Sequence, residues 1–258
     1  MEGLNQTERD KRARVGMPPS LSIYDKGLST MIGPIYRDAY GRNISQEKKF
    51  QLFRLRRWQR MSTVKGSEDR NLSLAMGELL MLTDRLHASR AVKEQAAFIY
   101  RRALKEGVIR GRSIAAVMAA SIYIAYRVTR TPMTLSEIAS NSSIDKKEIA
   151  RCYRLLLKEL NIKVPIQKAQ FSVSKVASKV ELGEETQRKA VEILGEADRL
   201  KITVGKDHMG LAASALYIAC VMNGEKRTQK DIAEAAGVTE VTIRNRYKEM
   251  RKALNPDM

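Results

Sequence analysis

Apolar side chains return every three or four positions along most of this chain from residue 72 onward, the period of a helix with one buried face. Leu72, Met76, Leu79, Leu82 and Leu86 mark a first helix, and Val92, Ala96, Ile99 and Ala103 a second. Residues 113–128 are instead apolar around nearly the whole circumference and rich in alanine (Ala115, Ala116, Ala119, Ala120, Ala125), which predicts a helix enclosed by others. Two shorter amphipathic helices follow at about 135–140 and 146–160. Capping signals precede the short helices: Thr134 with Glu137, Asp145 with Glu148 and Thr228 with Asp231 each place an acceptor before a helix and an acid three residues on.

The same pattern then runs a second time. Residues 76–161 align with 170–255 at a constant offset of 94 without a gap: Tyr123-Ile124-Ala125 matches Tyr217-Ile218-Ala219, Ile149 and Tyr153 match Ile243 and Tyr247, and Leu160-Asn161 matches Leu254-Asn255. Val173, Val176 and Val180, then Ala190, Ile193 and Ala197, repeat the first two helices, and residues 209–222 repeat the all-apolar one. The alignment reaches back to Ile166 opposite Leu72, just after Pro165, so the linker between copies is short. One buried alanine-rich helix ringed by four others resembles the plan of a cyclin-like box. The predicted fold is all-α, with two tandem five-helix cyclin-like domains at 71–162 and 163–258. An extended leader at 1–43 and a basic linker helix at 44–70 precede them.

The leader does not repeat, and Pro18-Pro19, Gly27, Gly33-Pro34 and Gly41 interrupt any helical period before about Ile44. An extended, partner-bound segment fits. Lys11, Arg12 and Arg14 form a basic cluster that reads either as a solubilising arm or as a nucleic-acid contact. Residues 45–61, with Lys48, Lys49, Arg54, Arg56, Arg57, Trp58 and Arg60, form a basic helix of contact rather than core character.

Charge changes the picture more than composition does. The 258 residues are 43% hydrophobic, as in an ordinary globular protein, yet carry a formal net charge of +18. It is spread along the chain, with 15 basic against 8 acidic residues in 1–71, the same in 72–161, and 17 against 13 in 162–258. Such a consistent sign points to an acidic partner, with nucleic acid first in line. Cys152 and Cys220 fit no metal motif and argue against a disulfide framework or a zinc site, so a reducing, intracellular setting is expected. No apolar run reaches the roughly 20 residues that span a bilayer, and no secretory signal is present.

Residues 229–254 also read as a helix-turn-helix, with Ala233 permitting close helix crossing, Gly237 in the turn, and Ile243 anchoring the second helix inward. Ile243, Tyr247, Met250 and Leu254 define its buried stripe and leave Val241, Arg244, Asn245 and Lys248 outside. An exposed valine beside an arginine suits a base edge, the aliphatic group meeting a thymine methyl and the guanidinium taking guanine or phosphate. Packing of Val241 on a neighbouring helix end and a solvated Arg244 and Lys248 are the alternatives. The first repeat has Lys147, Ala150, Arg151 and Arg154 on the matching face and Ser143 in place of Gly237. It keeps the charge but lacks an arginine aligned with Arg244, which suits backbone and protein contacts. Lys226 and Arg227 add backbone-binding charge ahead of the motif.

Two runs resemble one family. Residues 28–33, Leu-Ser-Thr-Met-Ile-Gly, preceded by Arg14-Val15-Gly16, look like the reader and linker region of transcription factor IIB, and residues 225–244 look like that family's DNA-recognition motif, in its archaeal form. The resemblance covers essentially the whole chain from about Arg14. It implies a general transcription initiation factor without enzymatic activity, partnered by promoter DNA, TATA-binding protein and RNA polymerase, with no small-molecule substrate and no membrane. The repeats would clamp a TATA-box complex, and Val241 and Arg244 would read the upstream recognition element. Arg12, Arg14, Asp25, Leu28, Ser29, Thr30, Arg54, Arg56 and Arg57 would face polymerase and template during start-site selection and promoter opening. Localisation would be the cytoplasm or nucleoid of an archaeon, or the nucleus of a eukaryote. Family members normally begin with a zinc ribbon of four ligands that docks on polymerase. No such ligands occur here, so the chain corresponds to a core or a variant without that anchor, and zinc is expected only with an upstream ribbon.

Two other classes compete. A cyclin-type module regulating a kinase shares the five-helix plan, but the +18 charge and the second-repeat motif oppose it. An enzyme is disfavoured because His87 and His208 are isolated, reading as helix-end surface residues, and no phosphate-binding glycine loop or carboxylate cluster accompanies a nucleophile.

Overall fold

Helices form where capping chemistry and apolar spacing coincide. The computed structural model describes residues 19–28, 32–33, 35–37, 40–63, 66–225 and 227–254, and these hold eleven helices and no strand, with an isolated antiparallel bridge between Arg37 and Asn43. Helix α1 spans Gln46–Thr63. The first unit continues with α2 (Ser67–Arg85), α3 (Arg90–Lys105), α4 (Ile114–Val128), α5 (Leu135–Asn141) and α6 (Lys146–Glu159). The second has α7 (Gln170–Val180), α8 (Glu184–Arg199), α9 (His208–Asn223), α10 (Gln229–Ala236) and α11 (Glu240–Leu254). The two units part at Lys163 and Val164.

In each unit the all-apolar helix sits in the middle. Helix α4 packs on α2, α3, α5 and α6, and α9 on α7, α8, α10 and α11. Residues 116–126 of α4 are buried without interruption, as are 209–216 of α9. Small side chains let four neighbours close on one helix, and each large apolar residue buried there contributes about 1.5–3 kcal/mol. Three hydroxyls in the cores are satisfied one turn back: Thr83, Ser121 and Ser214 donate to the carbonyls of Leu79, Val117 and Gly210 at 2.7, 2.8 and 2.7 Å. Burial raises both cysteine thiols, Cys220 to about 11, so neither is a ready thiolate.

The duplication extends into backbone conformation. Left-handed residues occur in pairs at the same offset: His87 with Glu181, Gly107 with Lys201, Gly111 with Gly205, and Arg130 with Gly224. Residue type differs in three of the four pairs while the turn is kept. Tyr123 and Tyr153 pack edge-to-face at 4.9 Å between ring centroids, and their counterparts Tyr217 and Tyr247 do so at 5.3 Å.

Several expectations need correction. Ile166 does not take the place of Leu72: α7 starts only at Gln170, after Pro165, and Ile166 is 91% exposed. Helix α2 starts at Ser67, ahead of residue 71, where the Asp69 carboxylate reaches back to accept from the Gly66 amide at 3.2 Å. Asp145 occupies its cap position without a side-chain cap bond, since its own carbonyl already accepts from the Glu148 and Ile149 amides at 3.0 and 3.1 Å. The boxes at Thr134 with Glu137 and Thr228 with Asp231 are formed as expected. His208 is half-buried at the start of α9 rather than a surface residue.

Part of the leader is also folded rather than extended. Ser20 to Leu28 make successive turns held against α3. The Ser20 hydroxyl and the Leu21 amide donate to the Glu94 carboxylate, the latter at 2.8 Å. Arg101 donates to the carbonyls of Leu21, Ile23 and Tyr24, at 3.0 Å to the first and last.

Candidate nucleic-acid interface

Helix α10 ends where Gly237 adopts φ 67°, a left-handed cap that lets its amide reach Glu234 and the Val238 amide reach Ala233. The chain then enters α11 through Thr239, whose hydroxyl accepts from the Thr242 amide at 3.4 Å. Ile243 and Met250 are buried and Tyr247 is half-buried, as the stripe requires. The side chain of Leu254 lies outside the described residues.

The central helix fixes the seat of α11. Gly210 of α9 approaches so closely that an added Cβ would lie 3.2 Å from Thr242 Cγ2. Ser214 Oγ reaches the Ile243 carbonyl at 3.5 Å. At the other end Lys206, before α9, pairs closely with Glu249, which also accepts from Arg246 at 3.0 Å. These donors, the Lys206 hydrogen bond first, hold the Glu249 carboxyl below the usual range. Nothing in the sequence pattern singles out Gly210, Lys206 or Glu249. Lys206 and Glu249 lie 43 residues apart and share no local pattern.

With α11 seated in this way, Val241, Arg244, Asn245 and Lys248 are all exposed, Val241 at 61%. Packing of Val241 into a neighbouring helix is therefore excluded within the described structure. Arg227, exposed just ahead of α10, lies near the same motif, whereas Lys226 lies outside the described residues. In the first unit Lys147, Arg151 and Arg154 are exposed on α6. The turn leading to it differs, for Ser142 is extended at φ −107° and no residue between α5 and α6 is left-handed.

Arg12, Arg14, Ser29 and Thr30 lie outside the described residues. Asp25 is half-buried, its carboxylate accepting from the Gly27 amide at 2.9 Å, and Leu28 is exposed. On α1 the basic residues divide. Arg54 and Arg57 are exposed, but Arg56 is half-buried and turned back on the chain: it donates to the Gly33 and Ile35 carbonyls and stacks 4.5 Å from the Tyr36 ring centroid. These contacts tie the leader to α1. Phe50, Phe53, Leu55 and Trp58 on the same helix are exposed.

Among the described residues, no group of three or more His, Cys, Asp or Glu could hold a metal ion, and no helix is long and apolar enough to cross a membrane. The described residues thus form an all-α fold of two matched units, the second carrying a helix-turn-helix with a basic outer face. The transcription factor TFIIB repeat matches residues 68–159 and again 162–253. The chain is 46% identical over 247 residues to transcription initiation factor IIB of Sulfurisphaera tokodaii, covering 96% of this chain and 80% of that protein. It is 47% identical over 251 residues to the protein of that name from Methanothermococcus thermolithotrophicus, covering 97% and 74%. With that of Archaeoglobus fulgidus it shares 46% over 248 residues, covering 96% and 76%. The chain belongs to the transcription factor IIB family, whose members are non-enzymatic transcription initiation factors.

Proposed function

We propose that the protein joins a complex of TATA-binding protein on promoter DNA, reads the upstream recognition element with the second repeat, and bridges that complex to RNA polymerase. Val241 and Arg244 are the base-reading pair, with Arg227, Asn245 and Lys248 on the backbone beside them. Lys147, Arg151 and Arg154 of the first repeat contact backbone alone. The leader and α1 face polymerase and template, through Asp25, Leu28, Arg54, Arg56 and Arg57 among the described residues.

The observation that carries this reading is the exposed face of α11, where an aliphatic side chain and an arginine stand together on a helix seated by Ile243 and Met250. The reading supplies direction: a promoter factor with base contacts on one side of the TATA box distinguishes the two orientations of that box. Phosphate contacts dominate the affinity, which falls steeply as salt rises. Arg244→Ala costs about 1–3 kcal/mol on the cognate element and little on scrambled DNA. A mobility-shift titration with TATA-binding protein present checks this, and equal losses on both sequences would sink the base-reading role.

A further inference from the structure

Arg244 is already engaged in the free protein. Its Nη2 donates to Glu240 Oε1 at 2.6 Å across one turn of α11. Both side chains remain about half exposed, 53% for Arg244 and 45% for Glu240, so the pair stands on the outer face rather than in the core. At the matching positions the first repeat has Lys146 and Ala150, and Lys146 donates to the Ser136 hydroxyl at 2.7 Å instead. The acid and the arginine are thus present together in one copy and absent together from the other.

A carboxylate at the leading edge of a face that approaches DNA opposes affinity, because phosphates surround every base it could reach. Its presence in a chain of net charge +18 calls for a compensating role. Favourable interaction with the helix N-terminus is one, yet α6 meets that need with Glu148 and carries alanine at the arginine's position. The guanidinium is a planar fork of five N–H donors. Glu240 accepts from one Nη2 donor, which restricts the swing of the guanidinium and leaves its other donors to present to the O6 and N7 of guanine.

We propose that Glu240 is a specificity-positioning residue that buttresses Arg244 and keeps phosphate from capturing it. The proposal rests on the reading of Arg244 as a base contact. Its signature is an opposite movement of affinity and selectivity, which a merely structural residue would not give. Removing the carboxylate frees Arg244 for any phosphate, so binding to unrelated DNA tightens while preference for the cognate element falls.

The test is fluorescence anisotropy of the full chain with TATA-binding protein, at one fixed salt concentration, on cognate and scrambled upstream elements. Glu240→Ala is expected to tighten binding to scrambled DNA and to lower the cognate-to-scrambled ratio about 3- to 10-fold. Glu240→Gln, which keeps a neutral acceptor, tightens scrambled binding likewise but retains more of the ratio. In an Arg244→Ala background Glu240→Ala leaves the ratio unchanged. Equal shifts on both DNAs, or a ratio change that persists without Arg244, would overturn the proposal. If Arg244→Ala alone leaves the ratio untouched, base reading itself fails. If Arg244→Ala lowers the ratio and Glu240→Ala does not, only the buttress fails.

Discussion

The two repeats agree where they are buried and part company at one turn. Four pairs of left-handed residues recur at an offset of 94, even where the residues are His87 and Glu181 or Gly107 and Lys201, so the connections between the larger helices are duplicated along with the cores. Between the last two helices the match ends. Gly237 is left-handed, its counterpart Ser143 is not, and α5 ends on an extended Ser142. The helix beyond this turn keeps its anchor and changes its outer face: Ile243 and Ile149 are both fully buried, while Val241 and Arg244 replace Lys147 and Ala150. The lesson is that a packed core tolerates divergence on its rim, and that the rim of the second copy is where a base-reading surface has room to arise.

Matched substitutions test how far the equivalence of the cores goes. Ile149→Ala and Ile243→Ala each delete a side chain of no measurable exposure, and each costs about 2–5 kcal/mol of unfolding free energy by denaturant titration. Similar losses are expected; a cost below about 1 kcal/mol in either would show that the two anchors are not equivalent. The turns should separate the repeats more sharply, though with a smaller effect. Gly237→Ala meets no atom within 4 Å, so only the left-handed backbone resists it, at about 1–2 kcal/mol, whereas Ser143→Gly relieves no such strain and costs less than about 0.5 kcal/mol. Equal costs at the two positions would erase the distinction drawn between the turns.

The smallest effect lies in acid. The Thr228 hydroxyl and amide, then nearby cations, lower the Asp231 carboxyl in the capping box of α10. A carboxyl held below its unfolded value adds stability that is present above that value and lost as pH falls through the folded one. Thermal melts of the protein should therefore lose stability below about pH 4, and Asp231→Asn should remove part of that dependence. An unchanged acid profile in the variant would detach the capping box from acid stability.

Much of this fold was legible from side-chain period alone. The enclosed character of α4 and α9 showed in their lack of a polar face, and the stripe of α11 in Ile243, Tyr247 and Met250. The outward set of Val241, Arg244, Asn245 and Lys248 came from the same geometry, because three residues fixed inward leave a predictable remainder outward. Ile166 misled because an unbroken alignment implies equal helix length, and Pro165 had already delayed the start of α7. Asp145 misled because a capping pattern names a candidate acceptor without saying whether the amides are already paired. Arg56 looked like its neighbours Arg54 and Arg57, and only the return of the leader over α1 distinguished it.

The sequence by itself determined the helical period, the duplication, the positive charge and the face of α11 free for contact, all of which depend on neighbours within a few residues or on a direct comparison of two segments. The tertiary structure decided the rest. It seated α11 against Gly210, joined Lys206 to Glu249 and laid Ser20 to Tyr24 across Glu94 and Arg101. These contacts join residues tens of positions apart. Their partners are chosen by how whole helices pack, and no local pattern of residue types carries that choice.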